Sequence, residues 1–250
     1  MASYNAFAPF YDRFIKPVDY DKRADYFEHI IKSVIGEQKL LLDLACGTGS
    51  LAVALAKRGY DVIGVDASEQ MLSLAQQKAW AQGKQILFLH QRMEALDLYG
   101  TIDACVCALD SLNHLTDPRA LKRALLRVSL FLVPGGVFVF DMNTPYKHKH
   151  LLADNSFVYE QGDTVCVWRN KTDVDLLTEI TLDFFTRQPN GSYIRNGECF
   201  CERGYAPETI QEMLKDCGLT LIALYADDTF DPPTETTERF IFVTKKGKQS

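Results

Sequence analysis

Short apolar runs alternate with helix-like patterns over residues 39–141. Each run is apolar at nearly every position, which is typical of strands buried on both faces of a parallel sheet. The segments between them repeat apolar residues at helical spacing, with Ser68 and Asp117-Pro118 placed to begin helices and Gly135-Gly136 placed to end one. The predicted strands are 40–44, 62–65, 86–89, 102–107 and 137–140, and the predicted helices are 48–58, 68–81 and 118–132. The pattern predicts a doubly wound α/β domain.

The pattern changes after Asp141. Polar and apolar residues alternate between Phe157 and Cys201, and the segment 189–192, Pro-Asn-Gly-Ser, has the composition of a turn between two strands. We predict three or four antiparallel strands inserted after the fifth strand. A helix over 206–217 and strands over 219–225 and 240–245 then complete a mostly parallel, seven-stranded sheet.

Composition and charge narrow the class of protein. The chain has 250 residues, 47% hydrophobic and 24% charged, with a formal net charge of −6, which is typical of a globular protein with a sizeable core. Residues 151–250 hold 10 Lys/Arg against 17 Asp/Glu, a balance of −7, whereas residues 1–150 have a balance of +1. An acidic C-terminal part argues against a broad surface for nucleic acid there.

The cellular location is suggested by the lack of membrane-spanning and signal-peptide patterns and by the number of cysteines. No segment approaches the roughly eighteen apolar residues needed to cross a bilayer, so no membrane association is expected. Residues 1–20 lack the basic-then-apolar order of a signal peptide. The seven cysteines are an odd number without a secretory signal, which favours reduced thiols and a cytoplasmic location.

A glycine turn directly after the first strand contains the most informative residues. The run Asp43-Leu-Ala-Cys-Gly47-Thr-Gly49 brings backbone N–H groups close to a ligand, and its acid suits a ligand with an ammonium group. Asp66 lies 23 residues beyond Asp43, at the end of the second strand, where a carboxylate can accept both ribose hydroxyls of a nucleoside. Met71 follows at a distance that lets it pack on an adenine. The alternative is that the glycines only form a turn and the aspartate only caps a helix, in a protein that binds no nucleotide.

These motifs resemble those of the class I S-adenosylmethionine-dependent methyltransferases. The run 43–49 and the run Val65-Asp66-Ala-Ser-x-x-Met71-Leu72 are similar to the first two motifs of that family, and the opening run 4–12 is similar to a subgroup of small bacterial members, many without an assigned substrate. The resemblance implies a Rossmann-like methyltransferase fold and S-adenosylmethionine as the cofactor. The cofactor-binding residues that it implies are Tyr11, Asp43, Ala45, Gly47, Gly49, Asp66, Ala67, Met71, Met93 and Leu109.

The resemblance also implies a division of labour along the chain. Residues 1–38 would form an N-terminal helical segment that closes over the cofactor, and residues 39–150 the cofactor-binding core. Residues 151–203 would roof the acceptor site, and residues 204–250 would complete the core sheet. Within the cofactor site, Asp43 and the Gly47 backbone would hold the methionine moiety, and Leu109 would lie near the sulfonium.

One position departs from the family pattern. After the third strand the family often has an acid before the residue that reads adenine, whereas this chain has Gln91-Arg92-Met93-Glu94. An arginine cannot accept a hydrogen bond from the adenine amino group. The backbone of Met93 or the carboxylate of Glu94 would then have to serve.

A polar run follows the fourth strand, where open α/β folds bind ligands. We predict that Asp110, Asn113 and His114 are the catalytic residues, with Asp110 and Asn113 better suited to orient an acceptor than to act as bases. Displacement at a sulfonium methyl depends on alignment and desolvation, and a base is needed only if the nucleophile must lose a proton. His114 has a suitable ordinary pKa, although a histidine that only caps the turn is the commoner case.

Three further groups of residues have ordinary structural explanations. The basic run 146–150 is expected to be a solvated loop, although it could attract an anionic acceptor, and His148 and His150 lack a third metal ligand nearby, so no metal is expected. Cys105 with Cys107, and Cys199 with Cys201, are expected to be buried apolar side chains. The aromatic residues of the insertion form its core or cover an acceptor.

Taken together, the sequence predicts a methyltransferase that acts on a small-molecule acceptor by in-line displacement. One alternative is an enzyme that methylates tRNA or rRNA, which would need a basic surface with exposed aromatic residues, mostly from residues 1–150. Another is a non-catalytic module that binds S-adenosylmethionine. A nicotinamide oxidoreductase is disfavoured by the glycine spacing. Whether the chain is a monomer or a homodimer stays open.

Overall fold

Seven strands form a mostly parallel central sheet in the computed structural model, which describes residues 11, 14 and 18–247. The strand order is β3-β2-β1-β4-β5-β11-β10, with β11 antiparallel to β5 and to β10. This arrangement confirms the predicted doubly wound fold. The strands are β1 Leu40–Leu44, β2 Asp61–Asp66, β3 Leu87–His90, β4 Ile102–Cys107, β5 Leu132–Asn143, β10 Leu219–Ala226 and β11 Arg239–Lys246.

Helices cover both faces of the sheet, and their boundaries follow local chemistry. The Asp117 side chain accepts a hydrogen bond from the Arg119 backbone, and Pro118 begins the helix that follows. One apolar core contains α4 and α5 and the other contains α1 and α2, as expected when parallel strands are buried on both sides. The helices are α1 Tyr20–Ile35, α2 Ser50–Lys57, α3 Glu69–Ala81, α4 Pro118–Phe131 and α5 Pro207–Asp216.

A second, antiparallel sheet is inserted between β5 and α5, as predicted. Its four strands pair in the order of the chain, and the turn at 189–192 joins the last two. The strands are β6 Ser156–Gln161, β7 Thr164–Thr172, β8 Leu177–Arg187 and β9 Tyr193–Arg203. A small apolar core around Phe184 and Phe200 packs against Tyr11 and Phe14. The N-terminal segment therefore contacts this sheet.

The boundary between α4 and β5 differs from the prediction. The helix ends at Phe131 and the strand begins at once at Leu132, so Gly135-Gly136 lies within the strand and does not end the helix. Pairing with β4 shifts register across this glycine pair. A Cβ atom at Gly136 would lie 2.9 Å from two backbone oxygens, which explains why glycine is needed in the strand.

The cysteines form no disulfide, and one expectation about them is wrong. Cys105 and Cys107 are buried, whereas Cys199 is exposed and Cys201 is half-buried, because their side chains point to the solvated face of the insertion sheet. Over residues 18–247, no helix is long and apolar enough to cross a membrane.

Candidate functional site

The turn after β1 adopts left-handed backbone conformations at three positions. The φ angles are 59° at Ala45, 53° at Gly47 and 72° at Gly49, and left-handed conformations of this kind favour glycine. The Cys46 amide donates to the Val65 carbonyl at 2.9 Å, which fixes the turn against β2. A Cβ atom at Gly47 would meet nothing within 4 Å, so this glycine faces open space.

Asp66, at the end of β2, is held by backbone donors on both oxygens. One oxygen accepts from the Gly47 amide and the other from the Ser68 amide, each at 2.9 Å. Burial raises the pKa of Asp66 while these amide hydrogen bonds act in the opposite direction. Because a carboxylate offers about four acceptor positions, the group stays able to accept further hydrogen bonds from a ligand.

Asp43, the fourth residue of β1, is almost completely buried behind the turn. Burial, together with the nearby charge of Asp66, raises the pKa of its carboxyl to about 8. Its Oδ2 atom has no hydrogen-bond partner among the described residues. A buried carboxyl oxygen without a partner is costly, and a cationic group at the turn would satisfy it.

A cavity opens at the carboxyl ends of β1, β2 and β4, where these residues meet. Eight of the ten predicted cofactor-binding residues line it, whereas Asp43 and Gly49 do not. Of the predicted catalytic residues, only His114 lines it. Sequence reasoning did not single out the lining residues Val65, Ser68, Gln91, Ser111 and Leu115. The lining residues are Tyr11, Ala45, Gly47, Val65, Asp66, Ala67, Ser68, Met71, Gln91, Arg92, Met93, Glu94, Leu109, Ser111, His114 and Leu115.

These features fit a nucleoside that carries an ammonium group. The unpartnered oxygen of Asp43 suits the cation, the anchored carboxylate of Asp66 suits a pair of ribose hydroxyls, and the open space at Gly47 lets a ligand reach the backbone. Met71 and Met93 supply apolar, polarisable contact for a base. The residues present therefore fit S-adenosylmethionine.

Tyr11 contributes to the cavity from the N-terminal segment. Burial, followed by the neighbouring Tyr20, Asp110 and Asp66, raises the pKa of its hydroxyl well above the ordinary value. The hydroxyl therefore keeps its proton and stays a hydrogen-bond donor. Residues 1–10, 12, 13 and 15–17 of the predicted closing segment lie outside the described residues.

The turn after β4 is held in an unusual conformation by Asp141. Leu109 and Asp110 both adopt left-handed φ angles, 58° and 54°, which side-chain-bearing residues seldom do. The buried Asp141 carboxylate accepts from both of their amides, at 2.8 and 2.5 Å. It also pairs with Arg23 at 3.1 Å and with Arg239 at 2.7 Å. This network fixes the backbone that places Leu109 in the cavity wall.

Asp110 is an ion-paired side chain beside the cavity. Its burial alone would raise its pKa, but the Arg239 guanidinium at 2.7 Å, with Lys147 and His114, outweighs burial and lowers the pKa to about 2. Asp110 is therefore ionised at neutral pH and already engaged by a cation. The geometry favours a role in positioning its neighbours.

Asn113 is completely buried, and its amide joins three segments of backbone. Its nitrogen donates to the carbonyls of Asn143 and Arg203, at 3.2 and 2.8 Å, and its oxygen accepts from the Asn143 amide at 3.0 Å. These contacts connect the turn after β4 to β5 and β9. The side chain that was predicted to orient an acceptor instead orients the protein backbone.

His114 lines the cavity and packs against the insertion sheet. Its ring centroid lies 5.1 Å from that of Phe200 on β9. Burial lowers the pKa of the imidazole despite the opposing charge of Asp110. His114 is therefore a neutral imidazole at pH 7, the form that accepts a proton.

Arg92 is bound to an acid of the same turn. Its Nε donates to Glu94 at 2.6 Å, and both residues line the cavity next to Met93. The arginine that departs from the family pattern therefore has its charge compensated locally. This pairing keeps the Glu94 carboxylate near the predicted adenine position.

The basic run at 146–150 is only partly solvated. His148 is completely buried in a π-helical turn, and its Nδ1 lies 2.8 Å from the Thr178 hydroxyl. Its neighbours Lys149 and His150 are exposed, as expected for a loop. The expectation of a solvated loop is wrong for His148, because the insertion sheet covers it. No group of three metal-ligating side chains occurs within residues 18–247.

Comparisons with known proteins place the chain in a family. Residues 41–136 match a family model described as "Methyltransferase domain". A Geobacillus sp. (strain WCH70) protein named "Putative methyltransferase" is 34% identical over 98% of this chain and all of its own length. The crystal structure of an S-adenosylmethionine-dependent methyltransferase from Clostridium acetobutylicum superposes with a TM-score of 0.89, at 33% identity, over 98% of this chain and 99% of that one.

A more distant structure shares the fold. The sugar N-methyltransferase KedS8 from Streptoalloteichus sp. has a TM-score of 0.79 at 22% identity, over 95% of this chain and 93% of its own. The glycine turn, the carboxyl groups of Asp43 and Asp66, and full-length similarity lead to one conclusion. The chain belongs to the S-adenosylmethionine-dependent methyltransferases.

Proposed function

We propose that this methyltransferase acts on a small-molecule acceptor that enters the cavity beside His114. The observation that carries the proposal is the charge of the cavity wall. Arg92 is its one Lys or Arg side chain among the described residues, and Glu94 neutralises it. The adjoining insertion belongs to the part of the chain with a balance of −7. Such a wall suits a small acceptor better than a polyanionic RNA.

The cofactor would be held by residues at the carboxyl ends of the first four strands and by one residue of the N-terminal segment. Asp43 would accept from the ammonium group, Asp66 from the ribose hydroxyls, and Met71 and Met93 would flank the adenine. Ala45, Gly47, Gly49 and Ala67 would supply backbone and space, Leu109 would lie near the sulfonium, and Tyr11 would cover the site. When bound, S-adenosylmethionine supplies a methyl group activated by a sulfonium sulfur.

The contribution of the chain would be alignment, exclusion of water and proton acceptance. The Leu109–Asp110 turn is held rigid by Asp141, so the acceptor would meet a preformed wall. Tyr11 and the insertion would keep water out. His114, neutral at pH 7, would take the proton of a nucleophile that must lose one. Asp110 and Asn113 would position this turn.

Labelled methyl transfer tests the proposal directly. The full chain is incubated with S-adenosylmethionine carrying a labelled methyl group, together with a low-mass filtrate of a bacterial lysate or with bacterial tRNA and rRNA. We expect label in the low-mass fraction and none in RNA. Label in RNA would overturn the choice of acceptor. Cofactor binding without label in any fraction would favour a non-catalytic module.

We also propose a cytoplasmic location for the enzyme. All seven cysteines are free thiols in the structure, and five of them are buried. Free thiols persist in reducing compartments. Fractionation of cells that express the tagged chain tests this, with recovery in the cytoplasmic fraction as the expected result.

A further inference from the structure

A buried acid from the insertion lies directly behind His114. Glu202 is on β9, is 4% exposed, and places its Oε1 atom 3.7 Å from Nε2 of the imidazole. That separation is longer than a hydrogen bond but short enough for the charge of one group to act on the other. The other carboxyl oxygen accepts from the Asn143 side chain at 3.2 Å, which fixes the orientation of the carboxyl.

The surroundings of this pair are charged on several sides. Asn143 also accepts from Lys147 at 3.0 Å, so a cation lies one side chain away from Glu202. Each neighbouring element contributes a group to this environment. The ionisable and charged groups that face Glu202 are Asp110 after β4, His114 in the next turn, Lys147 after β5 and Arg239 on β11.

We propose that Glu202 is a positioning residue that forms a proton-holding pair with His114 on the acceptor side of the cavity. The insertion then does more than cover the site, because it supplies half of the acid–base unit. No spacing rule points to this pair from sequence, since 88 residues separate the two side chains along the chain.

The electrostatics of the pair support the geometry. Burial, with the nearby charge of Asp110, raises the pKa of Glu202 to about 8, and burial lowers the pKa of His114. At pH 7 the carboxyl therefore holds a proton and the imidazole does not. Above about pH 8 the carboxyl ionises, and an anion beside the imidazole favours its protonated form.

In the reaction, the pair would receive the proton that the acceptor loses. The nucleophile of the acceptor forms a bond to the methyl carbon, the carbon–sulfur bond breaks with its electron pair left on sulfur, and the proton of the nucleophile passes to the His114 imidazole. Above about pH 8, where Glu202 has already lost its own proton, its carboxylate would face the resulting cation. This role rests on the proposed function, whereas the pairing itself is a property of the chain alone.

Nuclear magnetic resonance tests the pairing without any acceptor. The imidazole signal of His114, identified by its loss in the His114→Gln variant, is followed from pH 5 to 10 in the wild-type chain. We expect an inflection near pH 8 caused by ionisation of Glu202, besides the titration of the imidazole itself. Glu202→Gln should abolish the inflection near pH 8. Glu179→Gln, which removes an exposed acid from the neighbouring strand β8, should leave it unchanged.

A second measurement covers the case in which Glu202→Gln fails to fold. The side-chain carboxyl carbon of Glu202 is observed directly in the carbon-13-labelled wild-type chain, and its midpoint is expected near pH 8. A midpoint near the ordinary glutamate value, or an unchanged His114 titration in folded Glu202→Gln, would overturn the pairing. Calorimetry with S-adenosylmethionine on the same samples tests the proposed function separately, because Glu202 lies outside the proposed cofactor contacts.

Discussion

Two carboxyl groups lie beside the turn after β1, Asp43 buried and Asp66 half-buried, and the protein holds them differently. Asp66 receives two backbone amides and is presented in a fixed orientation, whereas Asp43 keeps one oxygen without a partner. The difference follows from position, because Asp66 ends β2 next to two turns and Asp43 is still within β1. The unsatisfied oxygen costs folding free energy that a cationic ligand would recover.

Cofactor binding near pH 7 should release about one proton from Asp43. The pKa of this carboxyl is about 8 in the free protein, so it is protonated at pH 7 and must ionise to pair with an ammonium group. Calorimetry in buffers of different ionisation enthalpy measures the number of protons released on binding. The release should disappear in Asp43→Asn, and equal release in that variant would contradict the assignment.

The raised pKa of Asp43 also determines how the stability of the free protein changes with pH. The folded pKa of Asp43 lies above its ordinary value of 3.8, so the folded state holds the proton more tightly than the unfolded state. The stability that the folded state gains from this protonated carboxyl is fully present below about pH 4, and it is lost as the pH rises towards 8. In urea titrations, Asp43→Asn should therefore depend less on pH than the wild type across this interval, and parallel curves would contradict the sign.

At the scale of elements, the glycine turn also fixes how α3 packs. A Cβ atom at Gly49 would lie 2.8 Å from the Cβ of Ala75 on α3 and 3.3 Å from the Phe88 ring on β3. Real Cβ atoms do not approach this closely, so α3 can pack directly against the backbone of residue 49 only because that residue is glycine. The motif therefore serves packing in addition to its proposed contact with the cofactor.

Replacing Gly49 by alanine should destabilise the fold by about 3 kcal/mol, since both the left-handed φ and the contact with Ala75 oppose a side chain. Gly59→Ala is the matched control. The φ of Gly59 is also positive, at 94°, but a Cβ atom there would meet open space. We therefore expect Gly59→Ala to lower the free energy of unfolding by about 1 kcal/mol. Urea denaturation measures both, and equal losses would show that packing against α3 contributes nothing.

The Asp141 network connects α1, β5, β11 and the turn after β4. Asp141→Asn should destabilise the chain by about 3 kcal/mol, because it removes the charge that pairs with the buried Arg23 and the half-buried Arg239 guanidinium groups. It should also weaken S-adenosylmethionine binding by releasing the turn at Leu109. Asp227→Asn, at the exposed side of the same arginines, should cost less. Denaturation and calorimetry on both variants test the ranking.

Local patterns predict most elements of this fold. The apolar runs locate β1, β2 and β4 to within a residue, and Asp117-Pro118 locates the start of α4, because these signals depend on near neighbours. The predicted start of β5 was wrong. A glycine pair usually ends a helix, but here it lies within the strand, where it accommodates a register shift against β4. That relation depends on the partner strand and is invisible in one segment.

The candidate site could be predicted only where it follows a motif. Gly47 and Asp66 occur at the expected positions of the cavity, whereas Asp141, Arg239 and Glu202 were missed. The missed residues act through partners about 30 to 130 positions away along the chain. Burial of such charges depends on tertiary packing, which periodicity does not encode.

For the whole molecule, the distribution of charge supports the proposed small-molecule acceptor. The central sheet supplies the carboxyl groups of the proposed cofactor site, and the acidic C-terminal part supplies the insertion that packs against His114. A polyanion that approached this side would meet net negative charge.

Bacterial tRNA should therefore bind weakly and without a steep salt dependence. Fluorescence anisotropy at low and at physiological salt measures the slope of affinity against salt concentration. Proteins that neutralise several phosphates lose about three to five orders of magnitude over this interval. Tight binding at low salt with such a slope would contradict a small-molecule acceptor.

Calorimetric titration of the full chain with S-adenosylmethionine tests the cofactor site most directly. We expect saturable binding by the wild type. In Asp66→Ala the affinity should be lowered about 10- to 100-fold, because the proposed charge-assisted hydrogen bonds to the ribose, each worth about 1.5–3 kcal/mol, are lost. Asp61→Ala, at the exposed start of the same strand, should bind as the wild type does. No binding by the folded wild type at millimolar cofactor, or equal affinity in Asp66→Ala, would contradict the site.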